Sequence, residues 1–181
     1  MYFDVFISGF GGQGILLAGQ LLAEAAMEKG LNVTFFPSYG VEMRGGTARC
    51  TVVISDDEIG SPIVDSPQCV IAMNQPSLLR FQDVVREGGI LIVNSSLARM
   101  EDITRNGIQV HGVPMSELAM ELGNTRLTNM VALGAYARLS GAIGPEDLGK
   151  ALHSVIPARN QKLIPLNEKA ILEGAAYTAG G

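Results

Sequence analysis

The sequence has no tryptophan, two cysteines, and only six phenylalanines and four tyrosines among 181 residues. The few aromatics are scattered without interleaved basic residues, so no stacking platform for nucleic acid is encoded. Lysine and arginine total 13 against 18 acids, a net charge of −5, which provides no general attraction to nucleic acid or to an anionic membrane. Long apolar runs are missing too: each is broken by Gly, Pro or a charge before it could span a bilayer. The opening MYFDVFISG lacks the basic segment of a secretory leader and reads as a strand, so a cytoplasmic location is expected. Cys50 and Cys69 lie inside apolar runs and read as buried, reduced thiols. Two such residues cannot supply four ligands for an iron–sulfur cluster or a structural zinc.

No repeat, low-complexity tract or linker divides the chain, so residues 1–181 are expected to form one domain. The 47% hydrophobic content is enough for one core. Residues 2–8 read as a buried strand running into Ser8-Gly9. From Gln13 to Lys29, apolar residues recur at helical spacing, and Gly30 ends the helix. LNVTFF predicts a second strand stopped by Pro37, which completes a β-α-β unit with glycines at its first turn. Strands follow at Thr47–Ser55, CVIAMN, GILIVNSS and IQVHGVP, with a short hairpin strand near Glu58–Ile59. QPSLLRFQDVVREG predicts a helix with Pro76 in its first turn. From Pro114 onward the pattern is helical, and TNMVALGAYARLSG is apolar almost all round, the mark of a buried helix capped by Thr128. The expected fold is α/β: a three-layer Rossmann-like domain with a mainly parallel sheet and a helical C-terminal third.

The chemistry concentrates in two loops. Gly9, Gly11 and Gly14 spell G-x-G-x-x-G between a strand and a helix, the context a phosphate-cradling turn requires. Gly9 permits the tight turn, Gly11 and Gly12 leave the backbone bare, and Gly14 lets the helix that starts near Gln13 pack close. The competing reading is that the glycines serve packing alone. A nicotinamide dinucleotide is disfavoured, because the second strand ends in Phe36-Pro37-Ser38 without the acid that holds the ribose 2′-hydroxyl. The second loop, SYGVEMRGG, offers the hydroxyls of Ser38 and Tyr39 and an arginine, Arg44, that Glu42 can orient. Arg44 suits a phosphate or carboxylate, while an ordinary surface loop with a local ion pair fits these residues equally well. Asn74, Asn94 and Asn129 fall at strand ends or a helix start and read as capping or turn chemistry. His111 and His153 stand apart without a neighbouring nucleophile. Met115, Met120 and Met130 suit either core packing or a partner surface, and the sequence leaves open a homodimer of the isolated chain.

GFGGQGILLAGQLLAEAA, SYGVEMRGGTARCTVVIS and SPIVDSPQCVIAMNQPS together resemble the gamma subunit of the 2-oxoacid:ferredoxin (acceptor) oxidoreductases. The resemblance extends nearly to the end of the chain, through KLIPLNEKAILEG. This family includes pyruvate, 2-oxoisovalerate and 2-oxoglutarate enzymes, and a related small subunit serves indolepyruvate oxidoreductase. The resemblance implies a subunit of a thiamine diphosphate enzyme that oxidatively decarboxylates a 2-oxoacid to an acyl-coenzyme A and is inactive by itself. It implies alpha, beta and ferredoxin-like delta partners, which carry the thiamine diphosphate and the iron–sulfur clusters. It further implies a coenzyme A contact at Gly9, Gly11, Gly12, Gln13 and Gly14, with Ser38 and Arg44 adding to it or to a subunit interface. No residue of this chain is expected to be catalytic or to bind a metal. The alternatives are an indolepyruvate oxidoreductase small subunit, an assembly module that contacts no cofactor and, on G-x-G-x-x-G alone, an independent nicotinamide or flavin oxidoreductase.

Overall fold

The computed structural model describes residues 1–39 and 47–180. Among the described residues, six strands form one sheet in the order β2-β3-β1-β4-β5-β6. They are β1 (Tyr2–Phe10), β2 (Asn32–Tyr39), β3 (Thr47–Ser55), β4 (Cys69–Ala72), β5 (Ile90–Asn94) and β6 (Gln109–Val113). β1, β4, β5 and β6 pair in parallel, while β3 runs antiparallel to both of its neighbours, β1 and β2. β1 and β2 are therefore not adjacent, and the expected simple β-α-β pair is corrected to a crossover with β3 inserted between its strands. β2 also continues through Pro37 instead of stopping there, with Pro37 opposite Cys50. It is an edge strand, where a residue without an N–H costs the ladder little.

Alternation decides which face each strand presents. Val5 and Ile7 of β1 and Cys50, Val52 and Ile54 of β3 enter the larger core, whereas Phe6, Val70, Leu91 and Val93 enter a smaller core on the opposite face. The larger core is covered by α1 (Ile15–Glu28), α3 (Met115–Glu121), α4 (Thr128–Ser140), α5 (Pro145–Val155) and α6 (Ile164–Ala179). α1 lies on β1, β2 and β3, and α4 lies on β4 and β5, with α5 and α6 packed outside them. This second helical layer explains why α4 is buried all round, from Thr128 to Ala137. α2 (Gln75–Phe81) and several 3-10 turns cover the smaller core.

α1 ends as the sequence predicts. Gly30 adopts φ 76°, its N–H donates to Met27 O at 2.9 Å, and the N–H of Leu31 donates to Ala26 O at 3.1 Å. α2 is shorter than expected, giving way at Gln82–Val84 to a 3-10 turn. Glu58–Ile59 forms no strand. Thr128 is the first residue of α4 and not its cap: its hydroxyl donates back to Thr125 O at 2.8 Å. Met115 and Met130 are core residues, and only Met120 of the three is exposed. Among the described residues, no helix is long and apolar enough to cross a membrane.

Candidate functional site

β1 ends at the carboxyl edge of the sheet and turns into α1 through Gly11–Gly14. The N–H of Gln13 donates to Phe10 O at 3.2 Å and closes the turn. Gly12 and Gly14 have φ of 95° and 73°, a region where a side chain costs roughly 1–2 kcal/mol. Gly9 is required for a different reason: a Cβ there would come within 2.7 Å of Ile15 Cδ1 and 2.9 Å of Met73 Cβ. Gly11 has open space around it, with nothing within 4 Å of an added Cβ.

The amides of Gly11, Gly12, Gly14, Ile15, Leu16 and Leu17 make no hydrogen bond to any described residue; the first bond of α1 is from the N–H of Ala18 to Gly14 O at 3.0 Å. A helix leaves these first donors without intrahelical partners, and its dipole adds partial positive charge at the same place. Gly11 and Gly12 are exposed. The backbone therefore presents an open cradle suited to an anion.

The Gln13 side chain is engaged within the protein. Its Oε1 accepts from the N–H of Phe10 at 2.7 Å and from Asn74 Nδ2 at 3.0 Å, and its Nε2 donates to Met73 O at 3.4 Å. The side chain is a brace within the turn. Asn74 caps α2 by accepting from the N–H of Ser77 at 2.9 Å. The Gln13–Asn74 bond thus ties together the starts of α1 and α2 where the two helices leave for opposite faces of the sheet. That divergence between β1 and β4 is the crevice in which open α/β sheets bind ligands.

Asn129 joins the site from 115 residues away: its Nδ2 donates to Gly14 O at 3.1 Å, and its amide fills the space a Cβ on residue 14 would need. The residue is 2% exposed. No local signal in the sequence ties Asn129 to the turn. Ser38 is placed differently from expectation. It pairs with Arg49 of β3, which pairs in turn with Ser8 of β1. Two strand spacings, roughly 10 Å, therefore separate Ser38 from the strand that carries the turn. Arg44 and Glu42 lie outside the described residues. Their flanks, Tyr39 and Thr47, pair with Ala48 and Phe10 at the same sheet edge as the turn.

Arg49, half-buried on β3, also stands at this edge. Its guanidinium lies 4.4 Å from the centroid of the Phe6 ring and 5.4 Å from that of Phe81. Burial, and secondarily the nearby Arg80, hold it below the usual arginine range. Ser8 is buried beside it and its hydroxyl bonds to that of Ser77 at 3.0 Å. Cys50 donates from Sγ to Ile15 O at 3.4 Å, and burial pushes its thiol up to about 12. Burial raises Cys69 as well. Among the described residues, no group of three or more His, Cys, Asp or Glu could hold a metal.

The geometry does not suit a nicotinamide dinucleotide. The neighbour of β1 on the α1 side is the antiparallel β3, so no parallel strand there presents its carboxyl end beside the turn. β2 itself carries no acid.

The family model of pyruvate ferredoxin/flavodoxin oxidoreductase matches residues 4–177. Ketoisovalerate oxidoreductase subunit VorA of Methanothermobacter thermautotrophicus is 39% identical over 174 residues, which cover 96% of this chain and 36% of VorA. The chain thus spans about a third of that relative. Crystallographic keto/oxoacid ferredoxin oxidoreductase gamma subunit from Geobacter sulfurreducens superposes with a TM-score of 0.85 at 30% identity, covering 99% of each chain. The 2-oxoglutarate:ferredoxin oxidoreductase of Magnetococcus marinus, solved with 2-oxoglutarate, coenzyme A and succinyl-CoA bound, matches with a TM-score of 0.89 at 25% identity. That match covers 99% of this chain and 31% of the other. The chain belongs to the pyruvate ferredoxin/flavodoxin oxidoreductase family.

Proposed function

We propose that this chain is the gamma component of a 2-oxoacid:ferredoxin oxidoreductase and that its glycine turn binds the diphosphate of coenzyme A. The observation that carries the reading is the open backbone cradle at Gly11–Leu17, set at the sheet's switch point and without a dinucleotide's acidic strand. Coenzyme A has a diphosphate for such a cradle and makes no demand for that acid. The 2-oxoglutarate:ferredoxin oxidoreductase of Magnetococcus marinus, of which this fold matches 31% of one chain, was solved with coenzyme A bound.

The residues present here fit the thiol substrate and not the redox groups. Two buried cysteines, one on each of two strands, cannot ligate a cluster. We infer that thiamine diphosphate and the clusters belong to partner chains, alpha, beta and delta, with this chain acting as a single unit beside them. The role of this chain is positional. Fixing the diphosphate against rigid backbone donors restricts where the pantetheine thiol can reach, which lowers the entropic part of the acyl-transfer barrier. Gln13, Asn74 and Asn129 hold the cradle in shape, so its donors need no reorganisation when the anion arrives.

Gly11→Asp tests this directly, because residue 11 has no positive φ and open space for a side chain. In the complete complex, the added carboxylate should raise the KM for coenzyme A at least about tenfold, since one lost charge-assisted hydrogen bond corresponds to roughly that factor. Gly11→Ala should leave it unchanged. Equal KM values for wild type and Gly11→Asp would refute the placement. So would robust 2-oxoacid oxidation by the isolated chain for the assignment as a dependent subunit.

A further inference from the structure

We infer that Arg49 and Arg80 form a second anion site, on the α2 face of the sheet, which takes a terminal phosphoryl group of the same cosubstrate. For coenzyme A that group is the 3′-phosphate of its ribose. The inference rests on the reading above, because it needs the diphosphate at the glycine turn.

Neither guanidinium makes a hydrogen bond or an ion pair with any described residue, although Arg49 is half-buried. A guanidinium brought partly out of water ordinarily has a carboxylate or several carbonyls as partners. Here the Phe6 and Phe81 rings, set edge to face at 84°, lie 4.4 and 5.4 Å from the Arg49 guanidinium, and among the described residues no acceptor meets its N–H groups. Arg80 lies 5.4 Å from the same Phe81 ring, so two positive charges share one aromatic group, and among the described residues neither has an acid paired with it. The two groups repel one another, which adds to the burial that already disfavours the charged form of Arg49. A phosphate dianion relieves the repulsion and finds accessible N–H donors, and a bidentate arginine contact suits its oxygens.

The position of the pair relative to the glycine turn identifies the anion. Arg49 stands opposite Ser8, three residues before Gly11. An extended chain of that length covers at most about 10 Å. The 3′-phosphate of coenzyme A is one ribose away from the diphosphate, within that reach. Ser8 and Ser77 flank the pair, and their hydroxyls are bonded to each other at 3.0 Å. α2, which carries Arg80 one turn after Ser77, is tied to the glycine turn through Asn74 and Gln13. The two anion sites are therefore held in fixed relation by the same brace.

The test compares coenzyme A with 3′-dephospho-coenzyme A in the complete complex carrying wild type, Arg49→Gln, Arg49→Lys or Arg80→Gln. Wild type should show a lower KM for coenzyme A than for the dephospho form. Arg49→Gln should raise the KM for coenzyme A about tenfold, with kcat within about twofold. It should change the KM for dephospho-coenzyme A less than about twofold. Arg49→Lys should recover part of the loss, and Arg80→Gln should show the same selectivity to a smaller degree. Melting of the full chain alone, with each thiol or with inorganic phosphate, provides a second readout: coenzyme A should raise the Tm of wild type more than that of Arg49→Gln. A wild type indifferent to the 3′-phosphate overturns the inference. It is also overturned if Arg49→Gln lowers Tm without changing either KM, which would make Arg49 only a cover for the Phe6–Phe81 pair. If Gly11→Asp raises the KM while Arg49→Gln does not, the second site alone fails. If neither variant does, the parent reading fails with it.

Discussion

Replacing Gly134 by alanine should destabilise the fold, although helix propensity predicts the opposite. Gly134 in α4 and Gly174 in α6 face each other where the two helices cross. A Cβ on Gly134 would overlap the carbonyl oxygen of Ile171 and lie 2.7 Å from its carbonyl carbon. One on Gly174 would overlap the carbonyl oxygen of Val131 and lie 2.8 Å from its carbonyl carbon. Carbon–oxygen contacts between helices settle at about 3.3–3.6 Å, so the helices would have to part by an ångström or more. Overpacking of this kind costs about 1–3 kcal/mol, and here the obstruction is backbone, which cannot rotate away. Alanine gains at most about 1 kcal/mol over glycine in a helix, so with the cost at the upper end of that range, about 3 kcal/mol, the net loss is about 2 kcal/mol. Gly149 in α5 is the internal control: an added Cβ meets Glu168 Cγ at an ordinary 3.6 Å, and its φ is not positive. Gly149→Ala should therefore stabilise by up to about 1 kcal/mol. Urea unfolding of the three proteins, at equal m-values, measures both effects. If Gly134→Ala is as stable as wild type, or shifts in the same direction as Gly149→Ala, the close crossing of α4 and α6 is wrong.

Burial raises the carboxyl of Asp4 above its ordinary 3.8, even though it accepts from the N–H of Gln68 at 2.6 Å. The native state then holds this proton more tightly than the unfolded chain does. Stability contributed here is lost as pH rises from 3.8 through the raised value, and the deficit persists at neutral pH. Asp4→Asn should gain on wild type between pH 3.5 and pH 7 in paired thermal melts, and a pH-independent difference would refute the sign. A Cys50 pKa of about 12 leaves roughly one thiolate in ten thousand at pH 8. Both cysteines should thus resist iodoacetamide until denaturant is added, and stoichiometric labelling of the native chain would contradict their burial.

Local patterns made most elements legible. β1 declared itself by an apolar run into glycine, α1 by its spacing and by Gly30, and α4 by being apolar on every side. The tertiary reason for that last pattern, a second helical layer of α5 and α6 over α4, is also why Gly134 and Gly174 occur in helix interiors. Strand order was not legible. TARCTVVIS reads as a strand in either direction, and only pairing with both β1 and β2 makes it antiparallel and central to that half of the sheet. Pro37 misled for a related reason. It ends a strand only where its missing N–H is needed, and at the free edge of β2 it is not.

The insertion of β3 also explains why the site was only half legible. The glycine turn is a local device, so Gly9, Gly12 and Gly14 could be assigned roles from spacing alone. Its surroundings are not local. Placing β3 between β1 and β2 moves Ser38 away from the turn and brings Arg49 next to Ser8 in its place. In sequence, Arg49 is one basic residue within a strand, with nothing to mark it. Its partners, Phe6 and Phe81, lie 43 and 32 positions away, and Asn129 reaches Gly14 across 115. The same rearrangement removes the parallel strand on which a dinucleotide's ribose would rest and supplies a cation on the other face. A turn that elsewhere serves nicotinamide is thereby set in surroundings suited to a ligand with two separate phosphate groups.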